Sequence, residues 1–378
     1  MLNKLHIVAD KNIPFFKGTL DNIAEVEYLS GEDFSPEKIK NADALIIRTR
    51  TICNKNLLQG SNVKFIGTAT IGYDHIDTDF CKQNNIYWTN APGCNAPSVA
   101  QYIVSALLTL AKKYNFSLSE KTLGIVGVGN VGKEIEKAAK TLGLKILLND
   151  PPRQEKEELP HFVSLNTIAK EADIITFHTP ITCKGKYPTY HLFNDDFANL
   201  LTKKPIIINA ARGEVTETES LLHALDKKII SNCVIDCWEN EPNINKTLLE
   251  SITLATPHIA GYSTDGKATA TRMVISSLCS FFNIDSNKIT TFEVANPIKE
   301  CIFTSSTSLD DILYDIVNQS YSIEKESSNF KNCPEKFEVI RNSYPLRREF
   351  FAFTANVPQA DKKVLQTLKN LGFKTKKQ

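Results

Sequence analysis

The stretch from Thr122 to Asp150 constrains this chain more than any other. Leu123-Gly124-Ile125-Val126 is a short apolar run of the kind a buried strand needs. It leads into Gly127-Val128-Gly129-Asn130-Val131-Gly132, after which Ile135, Ala138, Ala139 and Leu142 recur at helical spacing. A second strand, Lys145 to Asn149, ends in Asp150, about 20 residues beyond the glycines. Strand, glycine turn, helix, strand and acid in this order predict a βαβ unit that holds a dinucleotide. Gly127 would permit the tight turn, Gly129 the approach of a pyrophosphate, and Gly132 close packing of helix on strand. Val131 falls in the first helical turn, where unpaired N–H groups and partial positive charge face the phosphates.

The Asp150 carboxylate would accept hydrogen bonds from a ribose 2′-hydroxyl. A 2′-phosphate there would meet a repulsion of ~4 kcal/mol per charge pair at ~4 Å. NAD is therefore the expected cofactor rather than NADP. Arg153, close by in sequence, pulls the other way, because it could hold such a phosphate.

The rest of the chain keeps the same rhythm. Ala44-Leu45-Ile46-Ile47 and Phe65-Ile66-Gly67-Thr68 read as strands, with Pro36–Asn41 and Asn54–Gln59 as helix or loop around them. Long helices are predicted from about Pro97 to Lys113 and from Asp265 to Phe282, and Pro358 to Phe373 reads as helix then strand. Ser305 to Ser308 is a polar, linker-like run, and Ser308-x-x-Asp311 could cap a helix.

At 378 residues the chain has room for two or three domains. Its 44 basic and 43 acidic residues nearly cancel, so no nucleic-acid partner is expected. No run of ~18 apolar residues is present, so no membrane span is expected. The N-terminus lacks the apolar run of a signal peptide, which points to the cytoplasm. Nine cysteines are scattered without a CxxC pair. Cys233 and Cys237 alone do not make a zinc site, so neither a metal nor a disulfide framework is expected.

Three later stretches carry candidate chemistry. Ile206-Ile207-Ile208-Asn209-Ala210-Ala211-Arg212-Gly213 puts an Arg at the carboxyl end of an apolar strand, where ligands of parallel sheets bind. Its planar fork suits a carboxylate. Cys233 to Pro242 brings Asp236 and Glu241 onto a strand and the turn after it. Leu254 to Tyr262 places His258 at a strand-to-loop transition. Oxidising an alcohol needs a base for its proton, and a carboxylate on the far ring nitrogen would fix the tautomer. Of the seven histidines, His178 reads as structural or cofactor-side, and His75 as bonded to the acids beside it. His6, His161, His191 and His223 show no converging partners.

On the glycine unit, Asn209-x-x-Arg212-Gly213, Asp236 with Glu241-Pro242, and His258-x-Ala260-Gly261, the chain resembles the D-2-hydroxyacid dehydrogenases. The resemblance implies an α/β fold: two Rossmann-like parallel-sheet domains flanking a cleft, plus an α+β C-terminal dimerisation domain. The implied boundaries are 1–94 with 257–284 for substrate, 95–256 for NAD, and 285–378 for dimerisation. It further implies Arg212, Glu241 and His258 as the catalytic set. Gly127, Gly129, Val131, Gly132, Asp150, Thr179, Ala210, Ala211, Arg212, Asp236 and Gly261 would contact NAD. Thr49, Thr70 and Tyr262 would contact substrate. Independently of the resemblance, Arg48 is expected to bind substrate through a phosphate, because it ends the strand Ala44 to Ile47 beside Thr49, with Arg347 or Arg348 as further candidates.

Gly67-Thr68-Ala69-Thr70, Ala91-Pro92-Gly93-Cys94-Asn95-Ala96, Asn149-Asp150-Pro151-Pro152-Arg153 and Tyr262 narrow the resemblance to the branch acting on 4-phospho-D-erythronate, in pyridoxal 5′-phosphate synthesis. The implied partners are a phosphorylated 2-hydroxy acid and a second copy of the chain. Thr49, Ala211 and Gln101 depart from the residues usual in that branch, Ser, Cys and Glu. The alternatives are a dehydrogenase for another acid, such as 3-phosphoglycerate, and an NAD-sensing corepressor.

Overall fold

A computed structural model describes residues 4–158, 161–295, 299–302, 308–358 and 360–376. The chain divides into two compact units, residues 1–95 with 263–295 and residues 96–262 with 296–378. Among the described residues no helix is long and apolar enough to cross a membrane.

In the first unit, β1 (Leu5–Asp10), β2 (Ala24–Leu29), β3 (Ala44–Ile47), β4 (Phe65–Thr68) and β5 (Tyr87–Thr89) form one parallel sheet in the order β2-β1-β3-β4-β5. Successive side chains of a strand point to opposite faces. Ile7, Ala9, Ile46 and Phe65 therefore pack with Val274, Ile275 and Leu278 of the helix Thr264–Phe281. Val8, Leu45, Ile47 and Ile66 pack the other way, with Leu57, Leu58 and Cys81. Both faces are covered, which is why these strands read as unbroken apolar runs. The stretches 36–41 and 54–59 contain only short helices, Pro36–Ile39 and Lys55–Leu58.

In the second unit, β6 (Thr122–Val126), β7 (Lys145–Asn149), β8 (Ile174–Phe177), β9 (Ile206–Asn209), β10 (Asn232–Ile235) and β11 (Leu254–Ala255) form a parallel sheet in the order β11-β10-β9-β8-β6-β7. Leu123 and Ile125 of β6 pack with the helix Ala96–Tyr114, whose Ala- and Leu-rich sequence lets nearly its whole length be buried. Pro97 lies in its first turn, where a missing N–H costs nothing. Val126 joins Ile175, Phe177, Ile207 and Ile235 on the opposite face.

The same unit holds a small parallel sheet of β12 (Lys299–Ile302), β13 (Phe353–Asn356) and β14 (Lys374–Thr375), in that order. Ser308 caps the helix Leu309–Ser320 by accepting the Asp311 N–H, as its sequence motif predicts. The polar run at 305–307 lies outside the described residues. The helix Lys362–Leu371 precedes β14, so the order is helix then strand as expected, but the strand begins beyond Phe373.

Candidate active site

The glycine turn is set by contacts that leave no room for side chains. Gly127 has φ +89°, and a Cβ on it would lie 2.7 Å from the His178 carbonyl. A Cβ on Gly132 would lie 2.2 Å from the Gly127 oxygen, so any side chain there would push the helix Asn130–Thr141 off β6. A Cβ on Gly129, by contrast, would meet nothing within 4 Å, so this edge of the turn is open to a ligand. Asp150 accepts the Val128 N–H at 2.8 Å and the Arg153 N–H at 3.1 Å, so it braces the turn as well as following it.

Arg153 gives Nε and Nη2 to Glu157 at 2.7 and 2.6 Å and Nη1 to the Val128 carbonyl at 2.6 Å. Three of its five N–H groups are already engaged, which weakens the sequence argument for a 2′-phosphate. Beside the turn, Thr179 Oγ1 is buried without a partner among the described residues. An open glycine edge, a helix N-terminus and an orphaned hydroxyl suit a dinucleotide pyrophosphate. His178 gives or takes one bond with Thr176 Oγ1 at 2.7 Å, and burial pushes its imidazole down to about 3.

At the carboxyl ends of β9 and β10 two turns interlock. Asn209 Nδ2 donates to the Arg212 carbonyl at 2.9 Å and to Thr216 Oγ1 at 3.0 Å, while its Oδ1 accepts the Ala211 N–H at 3.1 Å. Gly213 abuts Trp238 so closely that a Cβ would lie 1.9 Å from the Trp238 oxygen. These contacts fix the turn that carries Ala210, Ala211 and Arg212. Arg212 is partly exposed and donates Nη1 to the Ala211 carbonyl at 2.8 Å.

His258 Nδ1 lies 2.8 and 3.1 Å from the two Glu241 oxygens. Glu241 also accepts the Trp238 N–H at 2.9 Å. Burial works against its ionisation, but the His258 bond and charge, the Trp238 N–H and Arg341 together hold the carboxyl below its usual range. His258 sits at φ +56°, a left-handed conformation that costs a non-glycine residue about 1–2 kcal/mol. Asp236 stabilises it. Its carbonyl accepts the His258 N–H at 2.8 Å, and its carboxylate accepts the Ile259 and Ala260 N–H groups at 2.8 and 2.9 Å and the Thr256 hydroxyl at 2.6 Å. Both Asp236 oxygens are thus engaged inside the protein. The resemblance offers Asp236 to the cofactor, and the geometry gives it the task of shaping the histidine loop.

Cys237 Sγ, Glu241 and His258 place their potential ligand atoms within 4.8 Å of one another. An ion there would need the thiolate, and burial together with Asp236 and Glu241 pushes the thiol well up.

Arg48 and Thr49 directly follow β3, and Thr70 lies two residues beyond β4, so all three stand at carboxyl ends of the first sheet. Thr70 Oγ1 meets Thr68 Oγ1 at 2.7 Å and donates to the Gly72 carbonyl at 2.8 Å. Arg48 Nη1 reaches the Asn12 carbonyl at 3.2 Å. Gly261 and Tyr262 are partly exposed in the loop after His258.

Several expectations are corrected. His75 bonds Thr68 Oγ1 at 2.9 Å rather than its acidic neighbours. His191 is not without partners, because Glu239 and Glu217 lie 2.7 and 3.5 Å from its ring nitrogens, and His223 meets Asp195 at 3.2 Å. Arg347 is buried, with Nη2 on the Ser98 and Ala260 carbonyls and its guanidinium 4.4 Å from the Tyr321 ring centroid. Its charge stabilises the fold and is not presented to a ligand. Arg341, which no motif marks, donates Nε to the Tyr262 hydroxyl at 3.1 Å.

Residues 105–260 match the family described as D-isomer specific 2-hydroxyacid dehydrogenase, NAD binding domain. Erythronate-4-phosphate dehydrogenase of Bacteroides thetaiotaomicron is 50% identical over 350 residues, covering 92% of this chain and 98% of its own length. The enzyme of that name from Porphyromonas gingivalis is 40% identical, covering 93% and 95%. Among solved structures, NAD⁺-bound 3-phosphoglycerate dehydrogenase of Entamoeba histolytica aligns with a TM-score of 0.63 and 25% identity, over 77% of this chain and 100% of its own. D-lactate dehydrogenase of Aquifex aeolicus, complexed with NAD and lactic acid, aligns at 0.60 and 25%, over 75% and 97%.

Proposed function

Because this chain belongs to the erythronate-4-phosphate dehydrogenases, within the D-isomer specific 2-hydroxyacid dehydrogenase family, we propose that it oxidises C2 of 4-phospho-D-erythronate to give 2-oxo-3-hydroxy-4-phosphobutanoate. The chain carries the NAD binding domain of that family and is an NAD-dependent dehydrogenase acting on CH–OH groups. The single observation that carries the reading is the Glu241–His258 pair, set beside the Arg212 turn on the sheet that bears the glycine turn.

Bound NAD would supply the acceptor for the hydride of C2. Gly127, Gly129, Val131 and Gly132 would form the turn that receives its pyrophosphate, and Asp150 would meet its ribose. Thr179, Ala210, Ala211 and Gly261 would complete its surroundings, with Asp236 acting behind them by holding the Ile259 and Ala260 N–H groups. Arg212 holds the substrate carboxylate with its guanidinium fork and polarises the C2 oxygen. His258 takes the hydroxyl proton on Nε2, since Nδ1 is held by Glu241, whose negative charge stabilises the imidazolium. The proton then leaves to solvent. Arg48, Thr49, Thr70 and Tyr262 are assigned to substrate.

The product would feed pyridoxal 5′-phosphate synthesis in the cytoplasm. Residues 1–94 with 257–284 serve substrate, 95–256 serve NAD, and 285–378 join two copies into a homodimer.

The test is a steady-state assay of NADH formation with 4-phosphoerythronate, 3-phosphoglycerate and D-lactate, with and without an added 2-oxo acid. A clear preference for 4-phosphoerythronate is expected. Turnover of another acid alone would keep the chemistry and discard the substrate, and no turnover with bound NAD would discard both.

A further inference from the structure

Arg341 belongs to the helix Phe337–Asn342, apart from the sheet that carries the rest of the site. Its Nε donates to the Tyr262 hydroxyl, and its guanidinium carbon lies 5.6 Å from that ring's centroid. Nη1 stands 3.9 Å from Glu241 Oε2, beyond hydrogen-bond length, and that oxygen is already bonded to His258. A guanidinium carries five donor N–H groups. Among the described residues only the one on Nε meets an acceptor. The side chain is 31% exposed, so the remaining donors are partly withdrawn from water yet open on one side.

A cation in this state is shaped for a bidentate oxyanion. Two other arginines of this unit are already engaged. Arg153 is paired with Glu157, and Arg347 is buried on carbonyls. Arg212 and Arg341 both act on the Cys237 thiol, so two cations bear on the pocket of one acid–base pair. A phosphorylated 2-hydroxy acid has two anionic ends.

We propose that Arg341 is a specificity-determining residue that binds the phosphate end of the substrate, held in place by the Tyr262 hydroxyl. Arg212 then serves the carboxylate end. This rests on reading the site as one for a phosphorylated 2-hydroxy acid.

The experiment compares the full-length wild-type enzyme with Arg341→Gln and Arg341→Lys. It measures kcat and KM for 4-phosphoerythronate and for unphosphorylated erythronate, and competitive inhibition by inorganic phosphate. Unchanged NAD affinity certifies the folded state of each variant. In Arg341→Gln, kcat/KM for the phosphorylated acid should fall about a hundred-fold, mainly through KM. Erythronate turnover should stay within about three-fold, phosphate inhibition should weaken, and Arg341→Lys should recover part of the loss.

Equal losses on both acids would overturn the assignment, and a loss in kcat with a displaced pH profile would mean that Arg341 acts through Glu241 instead. No loss on either acid would also overturn it. A wild-type enzyme that does not prefer the phosphorylated acid would defeat the functional reading itself, before any variant is compared.

Discussion

The two large sheets share a strand order. In the first it is β2-β1-β3-β4-β5, and in the second β7-β6-β8-β9-β10 with β11 added at the edge. Both therefore reverse direction beside their first strand, the place where open parallel sheets bind ligands. Their first connections differ. From Lys11 to Ile23 the first sheet runs through turns without a helix, pinned by the buried Ile13, Phe16 and Leu20. The second uses the glycine turn and the helix Asn130–Thr141. A helix N-terminus aimed at a switch point supplies the N–H groups and partial positive charge that a pyrophosphate needs. Strand order alone thus gives two equivalent crevices, and one connection decides which of them can hold a dinucleotide.

If the second sheet carries the acid–base chemistry, the largest effect belongs to His258. His258→Gln should lower kcat by about 10³, and Arg212→Ala by at least about 10², in a steady-state NADH assay. Retention of most of the wild-type kcat in His258→Gln would break the comparison at its centre.

The pinned connection of the first sheet can be tested on stability. Phe16 is 1% exposed, and Phe16→Ala should cost about 3–5 kcal/mol in urea denaturation. The NAD dissociation constant of the folded protein should not change. Gly132→Ala is the converse case. Its Cβ must displace the Gly127 carbonyl, at a cost of up to about 3 kcal/mol. Calorimetry should also show NAD binding weakened by at least about ten-fold. Equal NAD binding by Gly132→Ala and the wild type would mean that the turn does not set the cofactor site.

Much of this was legible in the sequence because it is local. The glycine spacing, Asp150 and the apolar strand ending at Arg212 each depend on neighbours within one supersecondary unit. The Glu241–His258 pair came from resemblance, and the geometry places them within hydrogen-bond distance. What the sequence hid is tertiary. Arg341 lies 79 residues from Tyr262, and nothing in Phe337 to Asn342 marks it. Asp236 looks like a ligand-facing acid in sequence, yet its oxygens face the loop that bends His258 into a left-handed conformation. Arg347 shows the same failure in reverse, because an arginine near a chain end reads as available until its carbonyl partners are known.

A finer difference between the sheets lies in one histidine of each. His75 bonds Thr68 at the end of β4, and His178 bonds Thr176 in β8. Burial lowers both imidazoles. For His75 the nearby Asp74 charge pulls back, whereas nothing offsets the burial of His178, which falls to about 3. In the unfolded chain a histidine gains a proton near pH 6.5. Between pH 6.5 and about 3 the unfolded state therefore binds the proton that folded His178 refuses, and stability falls as the pH drops. At pH 5 the loss should be about 2 kcal/mol relative to pH 7. In urea denaturation at the two pH values, His178→Gln should shrink the wild-type difference by about that amount, and His75→Gln by less. A greater change from His75→Gln would place the more strongly desolvated imidazole in the first sheet. The buried polar environment beside the glycine turn would then not be what sets the second sheet apart.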